Sequence, residues 1–281
     1  MTRLRTAIEA ATATLAAAGV ATPRIDAELL AAHSLGVDRG RLMFVDDPDP
    51  EALAAFEHLV AARAKRIPLQ HLVGTAAFGP LTLEVGPGVF IPRPETESLL
   101  EWAVAQQLPR DAVIVDLCTG TGALALALAQ HRPQARVIAV EDSPAALEYA
   151  RCNAAGTSVE VLAADVTAPD LLPELDGAVD LVVSNPPYIP EGAELDPEVA
   201  DHDPAHALFG GPDGMAVIRP IVALAARWLR DGGKCAVEHD DTTSARTVQA
   251  FTHDGNFTDV TARHDLTGRP RFVTATRIAR S

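Results

Sequence analysis

Five short apolar runs, separated by stretches of helical periodicity, constrain this chain more than any other feature. They are Val113–Leu117, Arg136–Val140, Val159–Ala163, Val179–Ser184 and Lys234–Glu238. Each is strand-sized, and valine recurs through them. The stretches Ala123–His131, Pro144–Asn153, Met215–Leu229 and Thr242–Phe251 read as helices. Such alternation predicts an α/β fold: a doubly wound, mostly parallel sheet with helices on both faces. Two further runs, near Thr258–His264 and Arg271–Ile278, flank the turn Thr267-Gly268-Arg269-Pro270. They predict an antiparallel hairpin closing one edge, which brings the sheet to seven strands.

The front of the chain has a different period. Leu4, Ile8, Ala11 and Leu15 share one helical face, and Gly19 ends it. Thr22-Pro23 and Asp49-Pro50 each read as a cap followed by proline at the first helical position. Residues 1–74 are therefore predicted to form a small helical bundle. Residues 75–92 read as a linking β-hairpin, with Phe78-Gly79-Pro80 at its turn, and the α/β domain is expected over 93–281. Within Val89–Thr96, Pro92 and Pro94 stiffen the backbone around Arg93, which suits a wall or lid beside a site. A helix is expected from Glu95 to Gln107.

Composition narrows the function classes. No run of about 20 apolar residues occurs, so no membrane span is expected. The basic start Met1-Thr2-Arg3-Leu4-Arg5 is followed by Glu9 in an amphipathic segment, which argues against a secretory leader. Cys118, Cys152 and Cys235 are odd in number and form no C-x-x-C pair, pointing to a reduced, cytoplasmic chain without a zinc site. The formal net charge is −15. Residues 1–75 hold 8 Lys+Arg against 9 Asp+Glu, so nearly all the excess lies beyond them. A surface of that sign repels phosphate backbones, so nucleic acid is not expected as a direct partner.

The chemistry gathers at strand ends, where open α/β sheets bind their ligands. After the fourth run comes Asn185-Pro186-Pro187-Tyr188. The Asn185 side-chain oxygen and the Pro186 carbonyl are two acceptors on a proline-stiffened backbone. Together they can hold both hydrogens of a planar –NH₂ group, and the Tyr188 ring offers it a face. Such a nitrogen is a poor nucleophile because its lone pair is delocalised. Two accepted hydrogen bonds return electron density to it and fix its aim. After the first run, Cys118-Thr119-Gly120-Thr121-Gly122 is a glycine turn that does not match the dinucleotide fingerprint G-x-G-x-x-G. The second run leads to Glu141, 25 residues after Asp116, placed to hold a ribose diol. The third leads to Asp165 and Val166, placed to hold adenine. The set fits an adenosine ligand without phosphates, and S-adenosylmethionine is one. No cluster at metal-ligand spacing is present, and no metal is expected.

The segments V-D-L-x-T-G-T-G, I-P-R-P-E-T-E and V-V-S-N-P-P-Y-I resemble the HemK-type protein-(glutamine-N5) methyltransferases. Pro68–Gly74 and Pro204–Gly211 with Asp213-Gly214 extend the likeness over nearly the whole chain. The resemblance implies a Rossmann-like methyltransferase sheet behind a helical recognition domain. It implies methyl transfer from S-adenosyl-L-methionine, leaving S-adenosyl-L-homocysteine, to the glutamine of the Gly-Gly-Gln loop of class I peptide chain release factors. It implies that Asn185 and Pro186 hold that amide with Tyr188 nearby, and that Cys118–Gly122, Glu141, Val166 and Asn185 line the cofactor. A monomer is expected. The chain departs from the family pattern at Cys118, at Glu141 and at Glu238-His239-Asp240-Asp241. Two other readings use the same residues: an N6-adenine or other nucleic-acid amino-methyltransferase, and a binding protein without activity.

Overall fold

The structure is a computed structural model that describes residues 3–168 and 170–279. Met1 and Thr2, the first residues of the basic start, lie outside the described residues. The chain forms two compact units. One runs to Thr75 and takes in a second segment, Leu195–His202; the other holds Ala76–Glu194 and everything from Asp203 onward.

The first unit contains helices α1 (Arg3–Ala17), α2 (Pro23–Leu35), α3 (Pro50–Ala64) and α4 (Leu69–Val73), with a 3₁₀ turn at Arg39–Phe44. Leu4, Ile8, Ala11 and Leu15 are buried, as their spacing predicts. Asp49 caps α3 by accepting from the Glu51 N–H at 2.9 Å. Thr22 does not cap α2 through its side chain; its hydroxyl donates to Asp26 Oδ1 at 2.7 Å. The distant segment is fastened by charge. Arg63, almost wholly buried, pairs with Asp26 at 2.8 Å and with Glu198 at 2.9 Å. Arg66 pairs with Glu198 at 2.8 Å and Asp196 at 3.2 Å. A buried guanidinium is tolerated only where its charge is matched in this way.

The second unit opens with the hairpin β1 (Thr75–Phe78) and β2 (Leu81–Glu84), followed by a 3₁₀ turn at Pro94–Thr96 and α5 (Glu97–Val104). The helix expected from Glu95 to Gln107 is thus split and shorter. Then come β3 (Val113–Leu117), α6 (Ala123–His131), β4 (Arg136–Glu141), α7 (Pro144–Ala154), β5 (Glu160–Ala163) and β6 (Val179–Ser184). After the Leu195–His202 segment, whose helix α8 (Pro197–His202) belongs to the first unit, come α9 (Ala205–Leu208), α10 (Ile218–Trp228), β7 (Leu229–Glu238), α11 (Ser244–Asp254), β8 (Phe257–His264) and β9 (Pro270–Arg277). The seven-stranded sheet has the order β5-β4-β3-β6-β7-β9-β8, and only β9 runs against its neighbours. β7 begins at Leu229, five residues before the expected strand; a register shift opposite Val179 and Leu181 absorbs the Gly232-Gly233 kink.

Strand alternation divides the core between the two faces. Val115, Leu117 and Val182 pack with Ile218, Val222, Trp228 and Phe251. Ile114, Leu181 and Val183 pack with Leu99, Leu124 and Leu128. The chain builds outward from β3 through β4 to β5, then returns to β6 on the other side of β3. That reversal leaves a crevice at the carboxyl ends of β3 and β6.

Candidate active site

β3 and β6 each deliver half of the site. Leu117 lies opposite Ser184, whose hydroxyl donates to the Leu117 carbonyl at 2.7 Å. Cys118 and Asn185 are therefore the next residues on adjacent strands, at the point of reversal.

From Cys118 the backbone takes left-handed conformations at Cys118 (φ 58°), Gly120 (φ 59°) and Gly122 (φ 87°). Cys118 thus adopts a conformation that suits glycine, which has no Cβ to clash. A Cβ added at Gly120 would meet nothing within 4 Å, so the turn faces open space there. Beneath it, Asp116 Oδ2 accepts from the Thr119 hydroxyl at 2.5 Å and the Ala125 N–H at 3.1 Å. Burial pushes the Asp116 carboxyl up to about 7. Burial, followed by the Glu141, Asp142 and Asp116 carboxylates, pushes the Cys118 thiol well up, so it stays protonated and unreactive. Asn153 Nδ2 donates to the Thr121 carbonyl and to the Glu84 carbonyl, each at 3.0 Å, fastening the hairpin to the glycine turn.

The acidic strand ends differ from one another. Glu141 is buried and turned inward, accepting backbone N–H groups from Gly120 (2.8 Å), Asp142 (3.1 Å) and Ser143 (3.0 Å). Burial raises its pKa despite those bonds. Asp142 bonds the ring of His206 at 2.7 Å. That contact raises the His206 pKa, with Glu141 and Asp165 adding to it. Asp165 is exposed and accepts from the Thr167 hydroxyl and N–H, each at 2.7 Å, which lowers its pKa. Val166 is buried in the core beside Leu117 and Val140.

The tetrapeptide has the opposite character. Asn185 Nδ2 donates to the Thr96 hydroxyl at 3.1 Å. Among the described residues no donor reaches Asn185 Oδ1 or the Pro186 carbonyl. Tyr188 donates its hydroxyl to Glu238 Oε1 at 3.0 Å. Burial, then the Glu238 charge, pushes the phenol well above its usual range. Glu238 is fully buried, and burial lifts its carboxyl to about 7 against the lowering effect of Thr96, Tyr188 and Arg271. Its second oxygen, Oε2, has no partner in full hydrogen-bond geometry.

A loop clamps the tetrapeptide from behind. The Ile189 N–H donates to the Leu208 carbonyl, and the Gly210 N–H to the Ile189 carbonyl, each at 2.9 Å. A Cβ at Gly210 would sit 2.6 Å from the Pro187 carbonyl oxygen, and one at Gly214 would sit 2.4 Å from that of Tyr188. Both positions exclude any side chain. Arg93 pairs with Asp203 and lies over the Phe90 ring, 4.9 Å from its centroid. Thr96, Glu238, Gly210 and Gly214 escaped the sequence reading as site residues. The segments that carry them stood out, but not the long-range contacts that give them work.

The crystal structure of a methyltransferase from Pyrococcus furiosus shares the fold, with a TM-score of 0.52, 18% identity and coverage of 73% of this chain and 92% of that one. The sheet order, the glycine turn after β3 and the crevice beside β6 define an α/β methyltransferase. Residues 6–74 match the PrmC N-terminal domain, and residues 92–202 match the methyltransferase small domain. Relatives cover nearly the whole chain. A release factor glutamine methyltransferase of Mycobacterium tuberculosis is 63% identical over 98% of this chain and 91% of its own length. One from Streptomyces coelicolor is 50% identical over 98% of each. A 4-amino-L-phenylalanine/4-methylamino-L-phenylalanine methyltransferase of Streptomyces pristinaespiralis is 40% identical over 92% of this chain and 91% of its own. The chain belongs to the release factor glutamine methyltransferase family. No helix among the described residues is long and apolar enough to cross a membrane.

Proposed function

We propose that this chain methylates the side-chain amide nitrogen of the Gly-Gly-Gln glutamine in class I peptide chain release factors, using S-adenosylmethionine, and so tunes translation termination. The observation that carries the reading is the pair of open acceptors, Asn185 Oδ1 and the Pro186 carbonyl, one strand from the glycine turn. The residues suit the cofactor. Gly120 faces open space, and the carboxylates of Glu141 and Asp165 stand at the ends of β4 and the β5 strand beside it. Cys118, Thr119, Gly120, Thr121, Gly122, Glu141, Asp165, Val166 and Asn185 would hold it. When bound, it supplies an electrophilic methyl carbon.

The protein's own contribution is to the nucleophile. Asn185 Oδ1 and the Pro186 oxygen accept the two amide N–H groups, which turns the nitrogen lone pair toward its target. As the nitrogen gains positive character its N–H groups become stronger donors. The same two oxygens then bind more tightly in the transition state than in the ground state. Pro187 and the glycine clamp keep them from moving, and the Tyr188 ring flanks the substrate amide. An added strong base is unnecessary, since an amide nitrogen that has gained a methyl sheds its proton readily.

The S. pristinaespiralis relative, named for an aromatic amine, motivates a second acceptor in the test. Labelled methyl transfer should be measured to a release factor, to 4-amino-L-phenylalanine and to an adenine oligonucleotide. Label on the Gly-Gly-Gln glutamine of the release factor is expected. Label on either of the other two alone would overturn the assignment.

A further inference from the structure

We infer that His206 is a positioning residue for methyl transfer: its bond to Asp142 ties the loop that clamps the tetrapeptide to the strand end that carries Glu141, and so holds the amide acceptor in register with the cofactor. The inference rests on Asn185 being the amide acceptor and Glu141 a cofactor residue, as proposed above.

The loop from Asp203 to Gly214 touches both halves of the site. On the cofactor side, His206 in α9 places its Nε2 2.7 Å from Asp142 Oδ1. One side-chain nitrogen or oxygen from each of Glu141, Asp142 and His206 lies within 4.8 Å of the other two, so the ring stands beside the buried Glu141 carboxylate. On the substrate side, the Leu208 carbonyl accepts the Ile189 N–H, and the Gly210 N–H returns to the Ile189 carbonyl, each at 2.9 Å. Ile189 directly follows Tyr188. Between the two sides the Phe209 N–H donates to the Ala205 carbonyl at 3.1 Å, so a single helical turn carries the restraint across. The path from Asp142 to the tetrapeptide thus runs through one side-chain bond, one turn and one backbone pair.

The sheet does not set this spacing by itself. β3 lies between β4 and β6. Asp142 is one residue past the last paired position of β4, and Asn185 is one past that of β6. Beyond a strand end, a backbone is held by whatever binds it. A nitrogen and a methyl carbon react only when held close to contact, and an error of about 1 Å can cost roughly 100-fold. The loop's other anchor, Asp203 to Arg93, reaches the segment before α5 rather than β4. The His206 and Asp142 side chains are 62% and 36% exposed. A pair so open to water adds little to stability. Its effect belongs to the geometry of the site, and that separates the two roles in an experiment.

The test uses the full chain with a release factor as acceptor, in single turnovers at saturating cofactor. His206→Ala and Asp142→Ala should each slow methyl transfer about tenfold. Cofactor Kd should stay within about threefold of wild type, and melting temperature within about 3 °C. The double variant should be no slower than the worse single one, because both cut one bond. His206→Gln sets an amide N–H near the place of Nε2 and should recover most of the rate. Arg136→Gln breaks another exposed pair, Arg136 with Glu160 at 2.8 Å, at the amino end of β4, and should leave the rate unchanged. Wild-type rates in His206→Ala would overturn the bridge, as would equal rates for alanine and glutamine at that position. An intact rate at saturation with cofactor Kd raised tenfold or more would overturn it too, making His206 a direct cofactor contact. Asn185→Ala serves as reference. If it is slow while His206→Ala is not, the bridge is wrong and the amide acceptor stands. If Asn185→Ala is itself fully active, the acceptor assignment fails and the bridge with it.

Discussion

The glycine turn with the end of β4, and the tetrapeptide after β6, are neighbouring strand ends with opposite hydrogen-bond character. At the first, the Glu141 carboxylate accepts three backbone N–H groups, and Asp116 accepts a hydroxyl and a fourth N–H. At the second, Asn185 Oδ1 and the Pro186 carbonyl accept nothing from the described residues. The first region is built by its own bonds and holds a shape. The second is held from behind, by Thr96 and the Gly210–Gly214 loop, and keeps its front polar atoms open. A site that must grip a weak donor pair needs the second arrangement, and the first gives it a fixed neighbour.

Substitutions can break or sharpen this contrast. The largest effect is expected where polar atoms are fully engaged and buried. Arg63→Ala strands Asp26 inside the helical unit and should cost about 3–5 kcal/mol in chemical denaturation. A loss below about 1 kcal/mol would mean the pair is solvated in solution. Next, Gly214→Ala drives a Cβ into the Tyr188 carbonyl and must displace the tetrapeptide. Since a shift of about 1 Å can cost roughly 100-fold in rate, methyl transfer should fall by about that factor. Cofactor affinity, read by calorimetry, should change far less.

Glu141→Gln puts an –NH₂ among N–H donors and should destabilise the chain by about 1–3 kcal/mol. A variant that melts like wild type yet binds cofactor tenfold more weakly would show Glu141 leaving the backbone for the ligand. The pH response has a defined sign. Asp116 and Glu238 both titrate near 7 in the folded chain, above the usual carboxyl range. Each is easier to bury protonated, so the stability it permits is complete below about pH 4 and declines as pH rises through about 7. Melting temperature should therefore drop less between pH 5 and 8 in Glu238→Gln than in wild type. A steeper drop in the variant would contradict the burial argument. Last and smallest, Cys118→Gly relieves a left-handed φ and should alter stability by no more than about 1 kcal/mol, with turnover retained.

The sheet was legible because its strands are short valine-rich runs with helical periods between them, and β3 and β6 have the expected limits. Boundaries moved where the local signal was ambiguous. Arg230-Asp231-Gly232-Gly233 reads as a turn, yet β7 runs through it on a register shift. The Leu195–His202 segment carries little apolar periodicity, so its place with the helical unit depends on ion pairs to Arg63 and Arg66 across more than 100 positions. The place of Asn185 and Pro186 just past the end of β6 was legible from the strand that precedes them. Thr96 and Glu238 were not, because their part depends on bonds spanning 89 and 50 positions. Gly210 and Gly214 look like ordinary loop glycines until the carbonyls behind them are seen.

The most direct measurement is single-turnover methylation of a release factor by Asn185→Ala, with cofactor affinity measured on the same preparation. Loss of one aimed acceptor should slow the step by about 100- to 1,000-fold while the variant still binds cofactor. Methylation at the wild-type rate would contradict the account.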